Sequence, residues 1–146
     1  MPPLGPLYER LEPLAYPLIR VTAGLMLLPH GAQKLFGLFG GGGLSGTAQF
    51  FAGNLGLEPG LLFALIAAIV EFGGGLALIL GLFTRPFALA VALQMAYAAF
   101  VVHLASGFFW NQGGYEYPLF WGLVALAIAI KGGGALSLDR AIGREF

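Results

Sequence analysis

Long apolar stretches recur along the chain, and four of them have a length that can cross a bilayer. A spanning helix needs about 20 mostly apolar residues to cross about 30 Å of hydrocarbon. The four stretches lie at about 14–37, 60–83, 86–105 and 118–131, and the last is the shortest. The pattern therefore predicts an all-α, polytopic membrane protein, a four-helix transmembrane bundle that forms a single domain over residues 1–146.

The composition narrows the class of protein further. Of the 146 residues, 58% are hydrophobic and only 10% are charged, whereas soluble domains carry about 25% charged residues. A formal net charge of zero leaves no basic surface for phosphates, so the lipid bilayer is the expected partner and nucleic acid is not. Because the chain has no cysteine, we expect no thiol redox centre, and any electrons would pass through a bound group.

The connection at 38–59 between the first two spans is too long for a simple turn. After a run of glycines, Ser45 is placed to cap a short helix. This helix would be interfacial, with Phe50, Phe51 and Leu55 lying on the outer surface of the membrane or folded into the bundle. The alternative is a flexible glycine loop with an apolar patch.

Basic residues predict the orientation of the spans. With four spans, both termini and the connection between spans two and three share one side. That side carries Arg10, Arg85, Lys131, Arg140 and Arg144. The opposite side has only Lys34, so the positive-inside rule places both termini in the cytoplasm.

Two ionisable residues lie well inside the predicted spans. Such residues cost about 2.5–3.5 kcal/mol each on insertion scales and normally have a partner in the bundle interior. At 1.5 Å per residue, Arg20 lies about 9 Å and Glu71 about 17 Å from the cytoplasmic end. A long arginine side chain can cover that difference, which predicts an Arg20–Glu71 interhelical pair or proton path. The alternative is that the pair only clamps the two helices together.

A second polar group is expected near the outer end of the spans. His30 and Lys34 are four residues apart and share a helical face. His103 lies at a similar depth in the third span, and Glu116 in the outer connection is placed to close over it. We therefore predict a ligand-binding pocket formed by His30, Lys34, His103 and Glu116. The alternative is a pair of interfacial histidines beside a lysine that extends to the head groups. Two histidines with a distant glutamate give no metal-ligand spacing, so no metal is predicted.

Several of these residues occur in an order that resembles the DoxX family of small bacterial four-helix membrane proteins. The resemblance runs from about Leu18 to Asp139 and rests on the following pieces: Arg20, Gly24 and His30-Gly31-x-x-Lys34; Glu71 with Gly73 and Gly74; Gly81-Leu82-Phe83-Thr84-Arg85; His103 with Gly107-Phe108-Phe109; and Gly132 to Gly134 with Ser137-Leu138-Asp139. No single piece is specific, but their order is.

The resemblance implies a function linked to redox chemistry in the bacterial inner membrane. The family takes its name from a subunit of a thiosulfate:quinone oxidoreductase, and its relatives are called membrane oxidoreductases or assist redox partners. The chain is thus expected to be a quinone-associated subunit of a membrane oxidoreductase. The first alternative is a non-enzymatic anchor or assembly factor, with residues 44–57 and 110–117 as the surface for a partner redox enzyme.

Two further alternatives belong to other functional classes. One is a small proton-coupled transporter with Glu71 as the coupling carboxylate, which would need a homo-oligomer to enclose a path. The other, which we favour least, is a haem held between His30 and His103.

Overall fold

The computed structural model describes residues 4–144 and 146, and these residues form helices joined by short connections. The predicted all-α class is confirmed. The main helices are α1 (Gly5–Phe36), α2 (Gly43–Leu55), α3 (Gly60–Leu80), α4 (Thr84–Tyr97), α5 (Glu116–Lys131) and the short α6 (Leu138–Ala141).

Among the described residues, three helical segments are long and apolar enough to cross a membrane: α1, α3 and the 19 residues Thr84–Val102, which comprise α4 and a π-helical turn that continues it. The fourth predicted span corresponds to α5, which begins two residues earlier than expected but has only 16 residues. α1 is longer than expected, because it begins at Gly5 rather than near residue 14 and runs through three internal prolines without ending.

α1 and α3 form a tightly packed antiparallel pair. A methyl group added at Gly24 would lie 2.6 Å from the carbonyl oxygen of Gly75, and one at Gly31 would lie 2.3 Å from the backbone nitrogen of Phe72. Residue numbers thus rise along α1 while they fall along α3. Since only glycine permits this approach, Gly75 acts as part of a helix contact face, as small residues in membrane helices commonly do.

α4 and α5 form a second antiparallel pair. Gly122 of α5 packs against Met95 and Ala92 of α4, and Gly132 lies beside Arg85 at the other end. α1 approaches α5 mainly where Tyr16 donates a hydrogen bond to the carbonyl of Gly132. The two helix pairs consequently meet at the end of the bundle that carries both chain termini, which we call the termini end, and leave space between them towards the other end.

The connection between α1 and α3 folds back on the bundle as a helix, which confirms the predicted short helix. Its start differs from the expectation, because Gly42 is the cap and Ser45 lies inside the helix. The reason is the glycine run, whose Gly43 takes a left-handed φ of 64° and lets the helix begin earlier. Phe50, Phe51 and Leu55 fold towards the bundle, where they line its internal space.

The outer surface of the bundle is apolar. Leu18 in α1, Leu93 in α4 and Ile130 in α5 are 67%, 63% and 73% exposed. A soluble protein does not expose such side chains on all sides. In a membrane they contact the lipid chains, which is favourable. The surface therefore agrees with the span lengths in describing a membrane protein.

Candidate functional site

A cavity of about 960 Å³ occupies the space between the two helix pairs. Its wall is mostly apolar, with Leu27, Val70 and Val91 among the lining side chains. The polar groups in the wall include Lys34, Glu71, Gln94 and His103, which we call the cavity cluster. Large apolar pockets with a few convergent polar groups are typical of small-molecule sites.

Glu71 is the centre of the cavity cluster. Its side chain is only 5% exposed, and its two carboxylate oxygens have different partners. Lys34 Nζ donates to Oε2 at 2.7 Å, and Gln94 Nε2 donates to Oε1 at 2.7 Å. Three helices therefore meet at one carboxylate, because Lys34 comes from α1, Glu71 from α3 and Gln94 from α4. The charged partner and the two hydrogen bonds are what make a carboxylate tolerable in the interior.

The predicted Arg20–Glu71 pair is wrong. The antiparallel packing places Glu71 beside Gly31, because Phe72 touches that glycine. Arg20 lies 11 positions before Gly31, which is about 16 Å along the helix at 1.5 Å per residue. An arginine side chain cannot span that distance. The sequence estimate took residues 14 and 82 as level with each other, whereas Arg20 itself lies beside Gly81, so α1 extends past the end of α3.

Arg20 instead holds the C-terminal segment of the chain. It is 2% exposed, and its Nη1 donates to the carbonyl oxygen of Gly133 at 2.9 Å while Nη2 donates to that of Leu136. Its Nε has no partner in the described residues. Gly81 gives it room, since a methyl group there would lie 1.7 Å from Nη1.

Asp139 completes this arrangement, which we call the termini cluster (Arg20, Gly133, Leu136 and Asp139). The aspartate is 1% exposed. Its Oδ1 accepts from the backbone N–H of Phe83 at 2.8 Å, and its Oδ2 accepts from that of Thr84 at 3.0 Å. It thereby caps the start of α4, where the first N–H groups of a helix have no partner of their own.

His103 stands at the other end of the cavity. It directly follows the π-helical turn Ala98–Val102, and its backbone N–H donates to the carbonyl of Ala98. Its ring Nδ1 lies 2.7 Å from the carbonyl oxygen of Gly113. π-helical turns inside α-helices are frequent at functional sites, and here the turn sets the position of the imidazole.

Three of the four residues predicted to form the ligand-binding pocket lie in the cavity wall, and the fourth does not. His30, Lys34 and His103 all line the cavity. Glu116 does not, because its carboxylate accepts a hydrogen bond from the backbone N–H of Trp110 at 3.1 Å and so fastens the loop before α5. Its expected position in the cavity wall is therefore wrong, while ligand binding by the other three stays a prediction.

Sequence reasoning missed two residues of these clusters. Gln94 is the third member of the carboxylate bridge, although its position in an apolar helix favoured simple packing. A buried glutamate needs hydrogen-bond donors, and an isolated amide in a neighbouring span was the available signal. Asp139 occurs in the Ser-Leu-Asp motif, where Ser137 caps α6, but nothing in the sequence linked it to the start of α4.

Comparison with known proteins decides the family. The sequence model of the DoxX family matches residues 16–104, which is more than half of the chain. The chain belongs to the DoxX family. The matched range contains Arg20, Lys34, Glu71 and His103, whereas Asp139 lies beyond it.

Three curated relatives extend the match over most of the chain. A Haemophilus influenzae protein of unassigned function is 33% identical over 134 residues, which are 90% of this chain and 92% of the relative. "Inner membrane protein YphA" of Escherichia coli is 30% identical over 88% of this chain and 91% of its own length. "Putative oxidoreductase CatD" of Bacillus subtilis is 35% identical over 84% of this chain and 82% of its own length. No solved structure matches the chain.

Proposed function

We propose that this chain is an inner-membrane subunit of an oxidoreductase and that it holds a quinone head group in the cavity. The observation that carries the proposal is the Lys34–Glu71–Gln94 bridge in the wall of a cavity of about 960 Å³. A quinone ring is flat and apolar apart from its two oxygens, and it needs an apolar slot with a hydrogen-bond donor. Lys34 supplies that donor, since Glu71 is bonded to only one of the three hydrogens of its ammonium group.

The cavity also suits a ligand that arrives through the membrane. Ile66 and Leu93 line it, yet they are 48% and 63% exposed on the apolar outer surface. The cavity therefore reaches the face of the bundle that lipid covers, and a lipid-borne tail can remain in the bilayer. The proton route expected from Arg20 and Glu71 is revised: Glu71, Lys34 and His103 provide the protonatable groups at the cavity, and Arg20 belongs elsewhere.

The names of two relatives support the proposed location and class. One is called an inner membrane protein and another an oxidoreductase. Because the chain has no cysteine of its own, electrons would reach or leave the quinone through a partner protein or another bound group.

The test is saturable quinone binding by the purified protein in lipid nanodiscs. Both tryptophans, Trp110 and Trp121, line the cavity, so a bound decyl-tailed benzoquinone or naphthoquinone should quench their fluorescence. Ala98 lines the cavity, and Ala98→Phe would place a large ring in the space that the ligand needs. We expect this variant to weaken binding at least tenfold. The matched control is Ala127→Phe, because Ala127 is exposed on α5 and does not line the cavity. Absence of saturable binding with both quinone types, or wild-type binding by Ala98→Phe, would overturn the proposal.

We also propose that both termini face the cytoplasm and that the cavity cluster lies towards the outer leaflet. Arg85 and Lys131 lie at the termini end, with Arg140 and Arg144 in the C-terminal segment that packs there, and this is the basic side of the bundle. Because the chain lacks cysteine, a single introduced cysteine reports its own exposure. In intact spheroplasts, a membrane-impermeant maleimide should label Gln112→Cys and leave Arg144→Cys unlabelled. The reverse labelling would overturn this orientation.

One observation favours the second candidate function, an anchor or assembly factor. Phe109 and Trp110 are 60% and 66% exposed in the connection before α5, and exposed aromatic side chains are common anchors of protein interfaces. For this function, Phe109→Ser, which lies outside the cavity wall, would abolish co-purification of a redox partner, while Ala98→Phe would leave it intact. If the chain instead holds a quinone, the quinone-dependent activity of the partner should be lost in Ala98→Phe and retained in Phe109→Ser.

A further inference from the structure

The hydrogen-bond partner of the His103 ring indicates which of the two ring nitrogens carries a proton. Its Nδ1 lies 2.7 Å from the carbonyl oxygen of Gly113, and a carbonyl oxygen only accepts hydrogen bonds. Nδ1 therefore carries the proton. In a neutral imidazole the other nitrogen, Nε2, then has a lone pair and acts as an acceptor. Within residues 4–144 and 146, no side chain or backbone group donates to this nitrogen.

The part of the cavity wall around Glu71 is also rich in acceptors. Each oxygen of Glu71 accepts one hydrogen bond and retains capacity for a second. Gln94 turns its amide nitrogen to Glu71, so its carbonyl oxygen is left as a further acceptor. Lys34 contributes the ammonium donor at this wall. The cavity thus offers one charged donor and acceptors from three different side chains, beside the neutral indole donors of Trp110 and Trp121.

From these groups we infer that the cavity selects the reduced ligand, a hydroquinone, over the oxidised quinone. The inference rests on the proposed function. Both oxygens of a quinone only accept, so one of them can pair with Lys34 but neither can pair with Nε2 of His103. Each hydroxyl of a hydroquinone both donates and accepts, and it can therefore satisfy Lys34 and the acceptors of Glu71 and His103. Acceptors that a bound ligand covers and leaves unpaired are unfavourable, and we expect a preference of about tenfold for the hydroquinone.

The experiment compares the two oxidation states of one compound. Anaerobic calorimetry on the full chain in nanodiscs gives the dissociation constants of a decyl-tailed benzoquinone and of its hydroquinone. The expected result is a constant about tenfold lower for the hydroquinone. Equal constants, or tighter binding of the quinone, would overturn the selection and leave the proposed function standing. Binding of neither form would overturn both.

Two variants separate the acceptor of His103 from its structural contact. In His103→Asn the side-chain amide lies where Nδ1 was and can still donate to Gly113, but no atom occupies the position of Nε2. We expect the hydroquinone preference to fall from about tenfold to about threefold, because only the acceptors of Glu71 and Gln94 then remain. In His103→Gln the longer amide reaches the Nε2 position with a carbonyl oxygen, and the preference should return. Gln112→Leu, in the same connection and outside the cavity wall, should behave as wild type. A full preference retained by His103→Asn would overturn the inference.

Discussion

Two groups of polar side chains lie in different parts of the same bundle, and they differ in which groups satisfy their hydrogen bonds. In the termini cluster, Arg20 and Asp139 are 2% and 1% exposed, and their hydrogen-bond partners are backbone groups. In the cavity cluster, Glu71 is bonded to two other side chains, and all members line the same large space. Neither Arg20 nor Asp139 lines that space.

The difference shows how to interpret a polar residue whose placement in a membrane helix costs free energy. Two of the three guanidinium nitrogens of Arg20 donate to carbonyls of the C-terminal segment. Its charged group therefore fixes that segment against α1. Within the part of the chain that the structure describes, two ammonium hydrogens of Lys34 and one ring nitrogen of His103 have no partner. The free-energy cost of polar groups in the spans draws attention to both clusters. Only the cavity cluster also has unused hydrogen-bonding groups beside a cavity, and this is what indicates a ligand.

The largest expected effect is the loss of stability in Arg20→Met. The substitution leaves the carbonyl oxygens of Gly133 and Leu136 without their charged donor. Hydrogen bonds to charged groups contribute about 1.5–3 kcal/mol each, so we expect the free energy of unfolding to fall by about 4 kcal/mol. Denaturant unfolding in detergent micelles measures this. Arg10→Met, at an exposed arginine of the same helix, is the control and should change stability by less than about 0.5 kcal/mol. Equal effects of the two variants would remove the distinction between the clusters.

A smaller loss of stability is expected in Asp139→Asn. An amide provides one acceptor where the carboxylate provided two, so the backbone N–H of either Phe83 or Thr84 is left unpaired. A buried unpaired donor costs about 1–3 kcal/mol, and we expect a loss near 2 kcal/mol. The same unfolding measurement applies, with the exposed Glu9→Gln as control. An unchanged unfolding midpoint would show that Asp139 does not hold the start of α4.

The smallest effect on stability is expected in Glu71→Gln. The amide has nearly the shape of the carboxylate and can still accept from Lys34, while Gln94 can turn its own amide over so that its oxygen accepts from the new amide nitrogen. The side chain of Lys34 is 24% exposed, so water reaches the remaining charge. We expect a change below about 1 kcal/mol. A loss as large as that of Arg20→Met would make the cavity cluster a structural clamp and would contradict its assignment to a ligand.

The helical class, the short helix before α3 and the cavity positions of His30, Lys34 and His103 could be predicted from the sequence, because apolar length and helical periodicity are local properties. The partner of Arg20 could not. Depth counted from assumed span ends misplaced α1 relative to α3, and the register depends on the close contact between Gly24 and Gly75. The role of Asp139 was equally hidden, since it depends on a segment more than fifty residues away along the chain.

The most direct test of the central claim compares the same substitution at two cations of α1, Lys34→Met and Arg20→Met. The dissociation constant of a decyl-tailed benzoquinone is measured for both variants in nanodiscs, with Asp139→Asn in place of Arg20→Met if the latter does not fold. We predict about tenfold weaker binding in Lys34→Met, because the carbonyl of the quinone loses its charged donor, and wild-type affinity in the termini-cluster variant. Wild-type affinity in Lys34→Met, or an equal loss in both variants, would contradict the claim that the cavity cluster is the ligand site.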